Sequence, residues 1–121
     1  MDASLLCGAW SLADYQIETN GEHRSVGEAI TGRLLLTADG IISVVITGRF
    51  DASLSQRDTI AYFGRYELRD AELWATIEVS NVPRHLETRQ LRHCALRADQ
   101  LTLTSDQPTG RHIVRWQRLA V

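Results

Sequence analysis

Apolar and polar residues alternate along this chain in short runs, each cut off by a turn signal. Residues 9–18 alternate loosely and carry Tyr15 and Ile17, and Asn20-Gly21 then supplies a turn. Residues 21–32 hold three glycines and read as a loop, with one helical turn around 26–30. A strand is predicted over 33–38, and Asp39-Gly40 between apolar runs is the strongest hairpin signal in the chain. The run 41–48 is rich in Ile, Val and Thr, which suit a pleated surface. Residues 49–58 read as a polar loop. Further strands are predicted over 59–68, 72–80, 87–96, 101–105 and 111–119, with a break at Asn81-Val82-Pro83.

These runs amount to eight strand candidates with mostly short connections, the pattern of neighbours paired antiparallel. Gly8-Ala9-Trp10 opens the first run and Trp116-Gln117-Arg118 closes the last, so the two ends read as meeting. The expected fold is therefore all-β: an eight-stranded antiparallel up-and-down barrel over residues 1–121, a single domain with an internal cavity. Eight strands leave an interior just wide enough for side chains or one small ligand.

The rest of the composition mainly excludes. At 121 residues the chain can bury a core without staples, and a net charge of -2 gives no basic footprint for nucleic acid. No apolar run approaches the roughly 20 residues that span a bilayer. The first residues are acidic where a signal peptide is basic, so a cytoplasmic protein is expected, with no membrane partner. Cys7 and Cys94 read as free thiols, and the absence of Cys/His ligand spacing predicts no metal. All 13 basic residues are arginine, which removes lysine nucleophiles and Schiff bases. There is no Gly-x-Ser-x-Gly elbow, no His-Glu-x-x-His and no phosphate-binding loop, and no cofactor is expected.

Several segments resemble the lipocalin-like domains of bacteria and fungi, small barrels of the calycin type. They are Gly8-Ala9-Trp10-Ser11-Leu12, then Gly32, Leu34 and Thr37-Ala38-Asp39-Gly40, then Tyr62-Phe63-Gly64-Arg65-Tyr66-Glu67. Thr88, Gln90 and Arg92, the run Leu101-Thr102-Leu103, and Trp116 with Arg118 complete the likeness. Two positions depart from it. Ala75 stands where such domains often carry a histidine, and Asp14 where a serine is usual. The resemblance implies a barrel with a cavity, used by such domains for binding and, in natural-product pathways, for cyclisation or isomerisation.

Strand side chains alternate between faces, so an inward Trp10 takes Leu12, Asp14 and Gln16 with it. Keeping Arg65 and Glu67 in water turns Tyr62, Gly64 and Tyr66 inward. Leu73, Ala75, Ile77 and Val79 form the next inward set, and His112, Val114, Trp116 and Arg118 share a face on the last strand. The family pattern favours Gln90 and Arg92 inward. Arg118 is expected to stack on an indole and close the floor. The expected ligand-binding residues are Trp10, Leu12, Tyr62, Tyr66, Gln90, His112 and Trp116.

Two functions fit this wall. One is binding of a small hydrophobic molecule, polyketide- or terpenoid-like, with its polar end oriented by Asp14, the tyrosines and Arg92. The other is a cofactor-independent cyclase or isomerase, with Asp14 as acid or base and Tyr66 or Arg92 polarising a carbonyl. Arg92 could instead pair with Asp14 inside the barrel. The implied partner is a small ligand or substrate, and a homodimer is compatible with either function.

Overall fold

The computed structural model describes residues 1–50 and 58–119. A 3-10 turn at Ala3–Leu5 leads into nine strands: β1 (Gly8–Thr19), β2 (Glu22–Ser25), β3 (Glu28–Leu36), β4 (Ile41–Arg49), β5 (Asp58–Arg69), β6 (Glu72–Ser80), β7 (Arg89–Arg97), β8 (Gln100–Gln107) and β9 (Gly110–Arg118). A second 3-10 turn, Pro83–His85, lies between β6 and β7. The polar loop expected at 49–58 falls outside the described residues except for its ends, where Arg49 finishes β4 and Asp58 starts β5.

All pairings are antiparallel, and β9 returns to β1 to close a ring of eight: β1, β3, β4, β5, β6, β7, β8, β9. The ninth strand, β2, lies outside the ring. It folds back on β1 through Asn20-Gly21, both with positive φ, as a two-residue hairpin of matching twist demands. β1 is thus shared: Gly8–Ser11 pair with β3, and Gln16–Thr19 pair with β2. The loop and helical turn expected over 21–32 are therefore β2 and the first half of β3. Glycine spacing gave a turn signal there, but the four residues of β2 are all exposed and show no apolar alternation.

Three register shifts interrupt the described pairings, one in β3 between Glu28 and Thr31 and two, in β1 and β6, that overturn expected inward positions. In β1, Leu12 pairs with Trp116 but Asp14 pairs with Arg115, so Ala13 is an extra residue. Trp10 and Leu12 face the core before it, and Tyr15 and Ile17 after it. Asp14 and Gln16, expected inward, are turned to the outer face. In β6, Gly64 of β5 pairs with Ile77 while Phe63 pairs with Val79, leaving Glu78 as the extra residue. Leu73, Ala75 and Ile77 are buried as expected, whereas Val79 is exposed beside Phe63. Strand β5 runs so close to β6 here that a Cβ on Gly64 would overlap the Thr76 carbonyl oxygen, which reserves the position for glycine.

One end of the barrel is plugged. Leu6 and Trp10 are fully buried, and Leu34, Leu36, Tyr66, Leu73, Leu101 and Trp116 pack around them. The Trp10 indole donates to the Leu6 carbonyl at 3.0 Å. Arg118 stacks over the Trp10 ring at 4.2 Å and donates to the carbonyls of Cys7 and Leu5 at 2.9 and 2.5 Å. One guanidinium thus ties the last strand to the first and to the plug that precedes it.

Removing that guanidinium has a testable cost. Arg118→Ala forfeits charge-assisted hydrogen bonds and a cation–π contact, a loss of about 2–3 kcal/mol, or roughly a 10 °C fall in Tm by calorimetry. Arg115→Ala breaks only the half-exposed pair with Asp14 and costs under about 1 kcal/mol. Equal losses at the two positions would show that Arg118 is no more than another surface ion pair.

Candidate functional site

The other end of the barrel opens into a cavity of about 550 Å³. Its walls come from alternating positions of the ring strands: Ile42, Val44 and Ile46 of β4, Ile60 and Tyr62 of β5, Ala75 of β6, Leu103 and Ser105 of β8, Val114 and Trp116 of β9. These are the inward positions of runs whose outward positions are mostly polar, so the period of two that makes the strands also makes the wall. At the rim, Arg84 and His85 come from the turn between β6 and β7, and Asp106 and Gln107 from the end of β8.

The polar groups gather around Arg92. Its guanidinium donates to the Leu91 carbonyl at 3.0 Å and to Gln90 Oε1 at 2.6 Å. Gln90 is itself held: its Nε2 donates to Thr88 Oγ1 at 3.1 Å, and the Thr88 hydroxyl donates to the His85 carbonyl at 2.6 Å. A chain of hydrogen bonds from the rim turn therefore orients the amide that orients the arginine. Burial raises the pKa of Tyr15 and of Tyr62, and the positive charge of Arg92 works against that rise in both. The same charge, after burial, helps lower the pKa of His112 and of His85. Among the described residues no carboxylate forms an ion pair with Arg92.

Within reach of the Arg92 charge, Tyr15 and His112 form a pair. The Tyr15 hydroxyl lies 2.7 Å from His112 Nδ1, and Thr109 Oγ1 lies 2.7 Å from His112 Nε2. Whichever ring nitrogen carries the proton, both bonds are made, because each hydroxyl can donate or accept. Burial and the charges of Arg92 and Arg24 keep the ring on the neutral side of its ordinary 6.5.

Of the residues expected to serve a ligand, Tyr62, Gln90, Arg92, His112 and Trp116 line the cavity. Trp10, Leu12 and Tyr66 do not. Trp10 and Tyr66 belong to the plugged end, where the Tyr66 hydroxyl donates to the Thr37 carbonyl at 2.7 Å and lies 3.9 Å from Cys7 Sγ. Burial and that thiol push the Tyr66 pKa up to about 12. Leu12 packs against the core beside them. Asp14, expected as the acid or base, is on the outer face, where it accepts from Arg115 at 2.9 Å. That bond replaces the internal pair with Arg92 that the sequence left open.

Tyr15 is the residue that strict alternation missed. Its signal lies in the loose pattern of 9–18: the bulky positions change phase from Trp10 and Leu12 to Tyr15 and Ile17, which an extra residue between them requires. The rim pair Arg84 and His85 carries no such signal, since a turn after a Pro-containing breaker has no periodicity to read. Trp116 brings one further feature. It is 2% exposed, and its indole N–H has no hydrogen-bond partner.

Comparison with known families decides the class of this barrel. The family model of a lipocalin-like domain matches residues 49–119, more than half of the chain. The chain belongs to the lipocalin-like domain family. No curated protein matches it. The matched stretch of this lipocalin-like barrel supplies β5 to β9, hence Tyr62, Gln90, Arg92, His112 and Trp116, while Tyr15 comes from β1 ahead of it. Membership is consistent with small-molecule binding in general and specifies no ligand.

Neutral His112 gives the lipocalin-like barrel a definite pH response. A histidine whose pKa falls on folding binds fewer protons folded than unfolded, so stability drops as pH falls below 6.5. His85 contributes with the same sign. The Tm advantage of wild type over His112→Gln should therefore shrink as pH is lowered from about 7.5 to about 5, followed by calorimetry. A difference that stays constant over that range contradicts a neutral buried ring.

Proposed function

We propose that this barrel binds one small, mostly apolar molecule, polyketide- or terpenoid-like, with its body against the β4, β5 and β6 walls and its polar end at Arg92. The observation that carries this is the placement of one oriented guanidinium, two tyrosines and a histidine on the lining of a cavity whose deeper walls are largely apolar. A volume of about 550 Å³ lies within the range of sites for such molecules, and few convergent polar groups in an apolar wall are their usual form.

Ala75 tests the reading, because it is buried, lines the cavity and leaves room that a larger side chain would take. The neutral dye N-phenyl-1-naphthylamine should bind wild type with a rise in fluorescence. Ala75→Trp should weaken it by about tenfold or more while circular dichroism stays unchanged. Undiminished binding to the folded variant places the dye elsewhere and removes the cavity as the site.

The pair of Tyr15 and His112 favours a second reading, a cofactor-independent isomerase or cyclase. Tyr15 presents a proton at the cavity wall, and the imidazole bonded to it can accept or return one, while Arg92 can hold a carbonyl oxygen. Asp14 has no part in it. An enolisable apolar ketone such as 2-tetralone supplies the test: wild type should speed exchange of its α-protons in D₂O by about 10²-fold, and Tyr15→Phe and His112→Gln should each abolish the effect. Exchange no faster than in buffer leaves binding as the function.

A further inference from the structure

The described lining of the cavity carries two arginines, Arg84 at the rim and Arg92 within. Asp106 is the one carboxylate among the described lining residues, and it is exposed at the rim, bonded to Arg111 at 3.1 Å. Gln90 Oε1, the acceptor nearest the guanidinium, is already taken by Arg92. Arg92 directs its five-donor fork at the Leu91 carbonyl, at Gln90 and at the Tyr62 hydroxyl, none of which carries a negative charge at neutral pH. The Trp116 indole N–H is buried without a partner among the described residues, and an unpaired buried donor costs free energy.

We propose, resting on the binding reading above, that the ligand is an amphipathic acid whose oxyanion head group sits against Arg92. An ether, an alcohol or a hydrocarbon end would leave the guanidinium without a counter-charge in an apolar wall, an arrangement that proteins avoid. A carboxylate or a similar planar oxyanion matches the fork in both geometry and charge. The chain from His85 through Thr88 and Gln90 then has a purpose. It fixes a guanidinium in advance, so that little side-chain freedom is lost when the head group arrives.

Two dyes that differ only in an anionic group test this: 8-anilinonaphthalene-1-sulfonate and its uncharged parent, N-phenyl-1-naphthylamine. Fluorescence titration of wild type should show the sulfonate binding about tenfold or more tightly than the neutral dye. Arg92→Met should erase that preference and leave the neutral dye within about twofold of its wild-type affinity. Arg92→Lys should keep part of it. A variant-free arm uses wild type alone: raising NaCl from about 50 to 500 mM should weaken the sulfonate and spare the neutral dye. Ala75→Trp must weaken both dyes, and sulfonate binding that survives it lies outside the cavity and overturns the inference. Equal affinities for the two dyes, or equal losses in Arg92→Met, overturn the acid while leaving the binding function standing. If neither dye binds wild type, the binding function fails and the acid with it.

Discussion

Everything else in this molecule depends on the seam where β9 returns to β1. Without it the sheet has two open edges and no inside. The seam is long, from Trp10 against Arg118 to Glu18 against Arg111, and it is interrupted once, at Ala13. That interruption decides the chemistry of the interior. It lets one strand present Trp10 and Leu12 to the plugged end and Tyr15 to the cavity, and it turns Asp14 outward to Arg115. A straight strand would have placed Asp14 inside, opposite the guanidinium of Arg92, and the cavity would have carried its own counter-charge.

The two halves of the barrel divide the work between stability and recognition. At the plugged end the polar groups bond to backbone or to each other: Trp10 to Leu6, Tyr66 to Thr37, Arg118 to Cys7 and Leu5. Such groups hold structure because their hydrogen bonds are complete. At the open end the groups are positioned but not fully spent. Arg92 is held by Gln90 without an acid among the described residues, and Trp116, between the plug and the cavity, is buried without an acceptor among them. The difference lies in the degree of satisfaction rather than in residue type, since tryptophan, tyrosine and arginine occur in both halves.

How much of this the amino-acid order displays depends on whether periodicity survives. It survives in the second half of β3, in β4, β5, β8 and β9, and there the strands and their inward faces are readable from the alternation and the Asp39-Gly40 hairpin. It fails wherever one residue is inserted. The extra Ala13 and Glu78 each reverse a face, which is why Asp14 and Val79 lie outside rather than in. It also fails in β2, whose residues face water on both sides and have no apolar phase to follow. Gln90 and Arg92 sit on a strand where arginines occupy both faces, so residue type alone could not orient it and the family likeness did. The rim residues Arg84 and His85 are placed by a turn that no alternation describes.

The hold of Arg118 on Cys7 and Leu5 has a kinetic side. It joins groups 111 and 113 residues apart along the chain, and the strand pairs beside it are nearly as distant. Hairpins between neighbours can form while the chain is still being made, but this junction needs both ends at once. During synthesis the nascent sheet must therefore wait with β1 and its newest strand as bare edges until the last strand leaves the ribosome. Contacts of such separation are won late and slowly.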